Sequence, residues 1–301
     1  MFPRFPVSPS PVSHGTSSEK FSVRPEPAAG VIPRRHKGLF CLIAGCYLAI
    51  SLWHIGRPGL NYDEAYPASL AMKLVHPELP LQLAYGKTTR FFGRFMIVQP
   101  SALHGPSRVY LAALWASFFP TDTVSLRLLG VVLGAWALWM LFLLASRWFG
   151  SGTGLLVTAM LAVDPTYVLM LRHDIHFNAL GLCLRLIALG LAARLWAGVP
   201  WRRDGWKLAL VILLGTWTSV EFLWFVGGLF AALAVVGRGK WSRWLPEKGW
   251  WLWLVLPLAM WAAFFAYAEY ITPEPLLPAS VRRVFRVLAD FRIDEGLKRL
   301  R

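Results

Sequence analysis

The sequence predicts an all-α fold, a polytopic bundle of about seven transmembrane helices whose long extracytoplasmic first loop carries interfacial helices. The chain of 301 residues is 56% hydrophobic and only 16% charged, whereas an ordinary soluble domain is about 25% charged. Its charged residues stand in short clusters between long apolar runs, which is typical of a membrane protein. The net charge of +15 is therefore not spread over a hydrophilic surface, as it would be in a nucleic-acid-binding domain.

Seven apolar runs predict the spans, because a helix needs about 20 residues to cross about 30 Å of hydrocarbon. They cover residues 38–57, 124–146, 152–171, 175–196, 206–219, 221–237 and 250–270. A shorter apolar stretch, 111–119, has a proline on each side. It predicts either an eighth span or an interfacial helix.

Basic residues at three connections between spans predict the orientation of the bundle. Seven spans place all three connections in the cytoplasm with the N-terminus, whereas eight spans would place them outside. The positive-inside rule therefore favours seven spans. We expect the bundle to lie in the plasma (inner) membrane. The bases concerned are Arg147, Arg194, Arg202, Arg203, Lys207, Arg238, Lys240, Arg243 and Lys248.

Four regions follow from this topology. Residues 1–37 are rich in proline and serine and predict a disordered cytoplasmic tail. Residues 38–270 form the transmembrane module, within which residues 58–123 are the long outer loop. Residues 271–301 predict an extracytoplasmic juxtamembrane segment, since 279–301 alternate apolar residues with arginines at helical spacing.

An acidic pair follows the first span at the point where the chain leaves the bilayer. The motif begins at Asn61 and contains Asp63, Glu64 and Tyr66. Two carboxylates at the membrane edge predict a general base or a metal-binding group, because charged groups there are functional by default. The alternative is a helix start, with Asn61 as the cap and the acids favouring the positive end of the helix dipole.

A second polar cluster lies in the short connection between the third and fourth spans. Arg172 there is suited to grip a phosphate in a bidentate manner, and Asp174 to orient that phosphate or a sugar hydroxyl. The alternative is a local Arg172–Asp174 pair that caps two helices. His173 and His176, three residues apart, are more typical of an interfacial polar turn than of a metal site.

Two further positions complete the candidate set. Arg108 and Tyr110 lead into the 111–119 stretch, and a cation and a phenol suit the headgroup zone, where they meet lipid phosphate or serve as anchors. Glu221 lies between two apolar runs, and a buried carboxylate there needs a partner, for which Arg172 is one candidate.

Together these motifs resemble the GT-C superfamily of membrane glycosyltransferases, in particular the protein O-mannosyltransferases and the lipid A aminoarabinose transferases. The resemblance covers residues 58–270. It rests on Tyr62-Asp63-Glu64-Ala65-Tyr66, the turn His104-Gly105-Pro106, the span entry at Arg127, Asp164-Pro165-Thr166 and Arg172-His173-Asp174. The order and spacing of these motifs carry the resemblance more than any one of them.

The resemblance implies an inverting transferase that moves a sugar from a polyprenyl-phosphate carrier to a lipid, glycan or protein acceptor on the outer face. By the same resemblance Asp63 is the base and Glu64 assists it. Arg172, His173 and Asp174 form the donor phosphate and sugar site, with Arg108, Tyr110, Tyr66 and Glu221 near it. Metal use varies in the superfamily, so a divalent metal stays an open alternative, and nucleic acid is not an expected partner.

Two departures from the family pattern keep other functions open. Relatives often have a lysine near the turn that holds Glu221 here, which reverses a charge near the donor phosphate. Relatives also usually continue beyond a seventh span. A non-catalytic or truncated subunit that binds the lipid carrier is therefore one alternative, and a transporter of lipid-linked sugars is another.

Overall fold

A computed structural model describes residues 32–57, 59–60, 62–79, 87–91, 94–100, 104–174, 178–197, 199–237 and 252–270. The predicted tail before residue 32, the third basic connection at 238–248 and the basic segment 279–301 lie outside these ranges. So do His176 and the side chain of Asp63. The described part is predominantly helical, which confirms the helical class.

The described elements alternate long apolar helices with shorter connecting ones. In chain order they are α1 (Arg34–Leu52), α2 (Tyr62–Val75), β1 (Lys87–Phe91), β2 (Arg94–Gln99), α3 (Ser107–Ala116), α4 (Thr123–Phe149), α5 (Ser151–Ala162), α6 (Pro165–Arg172), α7 (Asn178–Trp196), α8 (Trp201–Thr216), α9 (Phe222–Gly237) and α10 (Leu252–Tyr270). Helix α1 begins at Arg34 and so includes the last four residues of the predicted tail.

Two of the described helices are long and apolar enough to cross a membrane. A stretch of 18 residues within α4 has a mean hydropathy of 2.4, and the 18 residues Ala179–Trp196 of α7 have one of 1.7. Helices α5 and α6 together add a third candidate. These lengths and compositions are those of a membrane protein.

The predicted span 152–171 is broken in the structure. Helix α5 ends at Ala162, α6 begins at Pro165, and the two axes differ by 65°. Asp164 has an extended backbone and its side chain accepts a 2.7 Å hydrogen bond from the Tyr167 amide. Pro165 explains the break, because proline has no amide hydrogen to continue a helix and its ring disfavours helical backbone in the preceding residue.

A short hairpin lies in the predicted outer loop, residues 58–123, whose other described elements are the helices α2 and α3. Strands β1 and β2 pair antiparallel, with Thr88 opposite Ile97 and Phe91 opposite Arg94. The sequence analysis anticipated only helices in this loop. The strands are rich in β-branched and aromatic residues, which favour β structure, and β2 packs beside α2 and α10.

Helix α4 is the central element, because α1, α5, α6 and α7 all pack against it. At Gly130 the chain of α4 comes very close to the end of α6, since a Cβ atom there would lie 2.2 Å from the Leu171 carbonyl oxygen. No residue larger than glycine permits this approach. The approach brings the turn that follows α6 against the first half of α4.

Candidate functional site

Five polar side chains from four elements line one small cavity. Glu64 comes from α2, Arg108 from α3, Arg127 from α4, and His173 and Asp174 from the turn after α6. The cavity has a volume of about 20 Å³, which is enough for one water molecule. Four of these five residues are among the predicted site residues, and they lie far apart in sequence.

Glu64 and Arg127 form a buried bidentate ion pair. Arg127 Nε donates to Glu64 Oε1 over 2.8 Å and Nη2 donates to Oε2 over 2.9 Å, with side chains that are 1% and 6% exposed for Arg127 and Glu64. The guanidinium also donates to the carbonyl oxygens of Ile55, over 2.7 Å, and Gly59, over 3.1 Å. Such saturation of donors and acceptors is what makes a buried charge pair tolerable.

His173 is the third member of this group. Its Nδ1 lies 2.8 Å from Glu64 Oε1, and its side chain is 14% exposed. An ionised carboxylate can only accept hydrogen bonds. Nδ1 therefore carries the hydrogen, and Nε2 is the ring nitrogen left to face other groups.

Arg108 and Asp174 form a second buried pair across the same cavity. The Arg108 Nε group donates to Asp174 Oδ2, and both side chains are 7% exposed. Asp174 Oδ1 also accepts a 3.0 Å hydrogen bond from the Ala179 amide at the start of α7. Arg108 Nη1 is buried and has no hydrogen-bond partner among the described residues, so one cationic N–H is left for a ligand or water.

The backbone of Asp174 is in the left-handed region, with φ of 44°. Aspartate tolerates this conformation better than most residues, but it still costs on the order of 1 kcal/mol. The conformation reverses the chain between α6 and α7 within a few residues. It leaves both Asp174 oxygens free to bind Arg108 and the Ala179 amide.

Arg172 has a different position from the other members of its motif. Its guanidinium donates to the carbonyl oxygens of Trp53, over 2.9 Å, and Arg57, over 3.0 Å, and it also contacts that of His54. It therefore joins the end of α6 to the segment after α1 and does not line the cavity. Its Nε is buried and unpartnered within the described ranges.

None of the remaining predicted site residues is among the described residues that line the cavity. Tyr66 donates its hydroxyl to Pro100 O over 2.8 Å. Tyr110 accepts from the Ile97 amide and donates to the Ile97 carbonyl, and burial raises the pKa of this phenol. Asp63 belongs to the first turn of α2. The prediction that Glu221 is buried is wrong, because it is exposed before α9, where it interacts electrostatically with Arg185 of α7.

The turn after α8 fixes the start of α3. The Gly105 amide donates to Thr218 O over 3.1 Å, and the Ser107 amide donates to Trp217 O over 3.3 Å. A Cβ atom at position 105 would lie 1.8 Å from Trp217 O, so only glycine allows this contact. The contact sets the position from which Arg108 reaches the cavity.

Helix α3 separates this polar cavity from a large apolar groove. Arg108 and Ala112, four residues apart, face the cavity, whereas Ser107, Tyr110 and Leu111 face the groove. The groove has a volume of about 690 Å³. Its apolar lining includes Met96, Val98, Leu180, Leu184, Leu214 and Phe264.

A metal site would need at least three His, Cys, Asp or Glu side chains close together. The described residues contain no such group.

Arg127 is the main residue of the cavity that has no role among the predictions from the sequence. The signal for it was present, since Arg127 is a lone charge inside the long apolar run of α4, and such charges are usually paired and functional.

No known family model, curated protein or solved structure matches this chain.

Proposed function

We propose that this chain is a membrane glycosyltransferase that moves a sugar from a polyprenyl-phosphate donor to a lipid, glycan or protein acceptor on the extracytoplasmic face. One observation carries the proposal: a single helix, α3, has a large apolar groove on one side and a cavity with two arginines on the other. A lipid chain with an anionic headgroup matches these two environments at once.

The volume and the lining of the groove support a lipid chain as its occupant. A volume of about 690 Å³ lies within the range of about 300–1,000 Å³ that is usual for ligand pockets. Its lining is dominated by aliphatic and aromatic side chains. Two of its polar residues, Ser107 and Tyr110, lie on α3, the helix that also carries Arg108.

The proposed topology has seven spans: α1, α4, the bent pair α5–α6, α7, α8, α9 and α10. Contacts join the ends that such a topology places on one side. Arg127 of α4 binds Ile55 after α1, Asp174 after α6 binds Ala179 of α7, and Gly105 binds Thr218 after α8. Arg147, Arg194 and Lys207 lie at the opposite ends of their helices, so the positive-inside rule makes the cavity side extracytoplasmic.

In the proposed reaction the acceptor oxygen attacks the anomeric carbon of the donor sugar. The bond from that carbon to the phosphate oxygen breaks, and its electron pair leaves with the lipid phosphate, with inversion. Asp63 stays the predicted base that takes the acceptor proton. Arg108 lies on the same helix as the groove residues Ser107 and Tyr110, and it would stabilise the charge on the departing phosphate.

A non-catalytic subunit that binds the lipid carrier is the second candidate. It is favoured by the pairing of Glu64 and Asp174 with arginines, which leaves neither of these carboxylates free as a base. The two candidates share the groove and the cavity that contains the two arginines. They differ in whether bound donor is consumed.

The test is transfer of labelled sugar from polyprenyl-phosphate donors in proteoliposomes that contain the full chain. We expect the wild-type protein to release polyprenyl phosphate and label an acceptor, and Asp63→Asn to reduce transfer by at least a hundredfold with unchanged membrane insertion. Asp122→Asn, which alters a helix cap of α4 far from the acidic pair in sequence, is the control for removal of an acid. Donor binding without turnover would support the carrier-binding subunit, and full activity of Asp63→Asn would exclude Asp63 as the base.

A further inference from the structure

His173 has one ring nitrogen fixed by the protein and one that is not. Nδ1 donates to Glu64 Oε1 over 2.8 Å. Glu64 is itself held by two hydrogen bonds from Arg127. The carboxylate therefore fixes both the tautomer and the direction of the imidazole ring, as an orienting carboxylate does in other histidine sites.

The free nitrogen, Nε2, belongs to a side chain that lines the cavity. It makes no hydrogen bond with any residue in the described ranges. Arg108 lines the same cavity, and its buried Nη1 has no partner among the described residues. A polar occupant beside both side chains would pair these groups, and a buried cationic N–H that stays unpaired costs about 1–3 kcal/mol.

The geometry points to His173 as the proton-exchanging group for a lipid-borne phosphate: Nε2 takes up a proton when a phosphate monoester oxygen enters the cavity beside Arg108 Nη1. Glu64 and Arg127 act as positioning residues. This inference rests on the proposed function for the identity of the ligand as an amphiphile. It goes beyond that function because it assigns a proton to a particular atom.

The charges around His173 determine the direction of the effect. Arg127 balances Glu64 and Asp174 balances Arg108, so the described cavity is close to neutral when it is empty. Arg172, at the end of α6, adds a positive charge nearby. A phosphate dianion brings two negative charges, and the lone pair of an unprotonated Nε2 would repel a phosphate oxygen. One proton from solvent on Nε2 replaces this repulsion by an N–H···O hydrogen bond.

The proton also has a place in the proposed transfer. The donor is a phosphodiester with one negative charge, whereas the released polyprenyl phosphate is a monoester whose second ionisation has a pKa of about 6. The electron pair of the broken carbon–oxygen bond goes to a phosphate oxygen. The Nε2 proton, which came from solvent, then hydrogen-bonds to that oxygen and stabilises the new charge.

The experiment counts protons on binding. Full-length protein in detergent is titrated with farnesyl phosphate by calorimetry at pH 8, in two buffers of different ionisation enthalpy. We expect the wild-type protein to take up about one proton per ligand, which is the proton that Nε2 binds when the phosphate enters. Its affinity should accordingly fall by up to tenfold per pH unit over the range in which this proton is taken up.

The decisive variant is His173→Asn. Asparagine retains a side-chain N–H that can replace Nδ1 in the bond to Glu64, but it has no group that takes up a proton. We expect this variant to bind farnesyl phosphate with proton uptake near zero and with little pH dependence. The matched control is His76→Asn, because His76 also contacts a glutamate, Glu78, over 3.3 Å, but on the exposed end of α2.

The results of this experiment separate the inference from the transferase proposal. Equal proton uptake by wild-type and His173→Asn proteins, or binding without any uptake, would overturn it and would leave the transferase proposal standing. Proton-linked binding with no sugar transfer would instead contradict the transferase and support this inference. If inorganic phosphate binds as tightly as farnesyl phosphate, or if neither binds, the lipid phosphate ligand is wrong for both.

Discussion

Replacement of Arg127 by methionine should destabilise the protein by about 3–5 kcal/mol, because it leaves the Glu64 carboxylate buried without its counter-charge. Glu64→Met should cost a similar amount for the same reason. The two side chains are among the least exposed in the structure. Chemical unfolding in detergent, followed by helical circular dichroism, measures both effects.

The double variant Glu64→Met/Arg127→Met shows whether the loss of stability in the single variants comes from an unpaired charge or from the replacement of a buried side chain. Removal of both charges eliminates the desolvation penalty together with the attraction, so most of the lost stability should return. Lys207→Met is a suitable control, since Lys207 is 41% exposed and its partner Asp204 retains Arg194. It should change stability by less than about 1 kcal/mol. Additive losses in the double variant would refute a neutralising Glu64–Arg127 pair.

The second large effect concerns the Arg108–Asp174 pair, whose members should have opposite influences on binding of a lipid phosphate. Asp174→Asn removes the negative charge that competes with a phosphate for Arg108, and the asparagine oxygen can still accept from the Ala179 amide. We expect farnesyl phosphate to bind about tenfold more tightly to this variant. Arg108→Gln should weaken binding by about tenfold or more.

Calorimetric affinities at constant ionic strength measure this opposition, and salt must be held constant because it screens exposed charges. The ligand should also raise the unfolding temperature of Asp174→Asn more than that of the wild type, since binding to the folded state is stabilising. If both variants weaken binding equally, the pair is structural and Arg108 is not a phosphate ligand. Arg203→Gln, at the exposed start of α8, controls for loss of a positive charge.

The sequence was sufficient for the helical class and for several helix positions. The apolar run 124–146 corresponds to α4, and the run 175–196 corresponds closely to α7, because long apolar stretches have few alternatives to a helix. The break at Asp164 was also foreseeable from Pro165 and the capping residue before it. The count of seven spans stays a prediction.

The arrangement of the cavity depends on contacts that no local pattern contains. Glu64 and Arg127 are separated by 63 positions, and their pairing requires the packing of α2 against α4. The approach of Gly105 to Trp217 and that of Gly130 to Leu171 are equally non-local. The sequence indicated Arg172 as the phosphate-binding cation, but a guanidinium bonds wherever carbonyl oxygens are presented, and the segment after α1 presents three of them.

The different roles proposed for Asp63 and Glu64 could not be predicted from the sequence either. Neighbouring residues on a helix point about 100° apart, so the contacts of Glu64 do not predict those of its neighbour. Glu64 is engaged by Arg127 and His173. If the pair serves catalysis, Glu64 therefore contributes through the residues that it orients, which leaves Asp63 as the predicted base.

The central claim is that one amphiphile lies across α3, with its chain in the apolar groove and its phosphate beside Arg108. Photocrosslinking with a polyprenyl phosphate that carries a diazirine in its chain tests this most directly, with labelled residues identified by mass spectrometry. We expect labels at groove residues such as Leu111, Leu184 and Phe264, and their loss in the presence of excess farnesyl phosphate. Labels confined to outward-facing residues such as Trp136, Leu156 and Trp224, insensitive to the competitor, would contradict the claim.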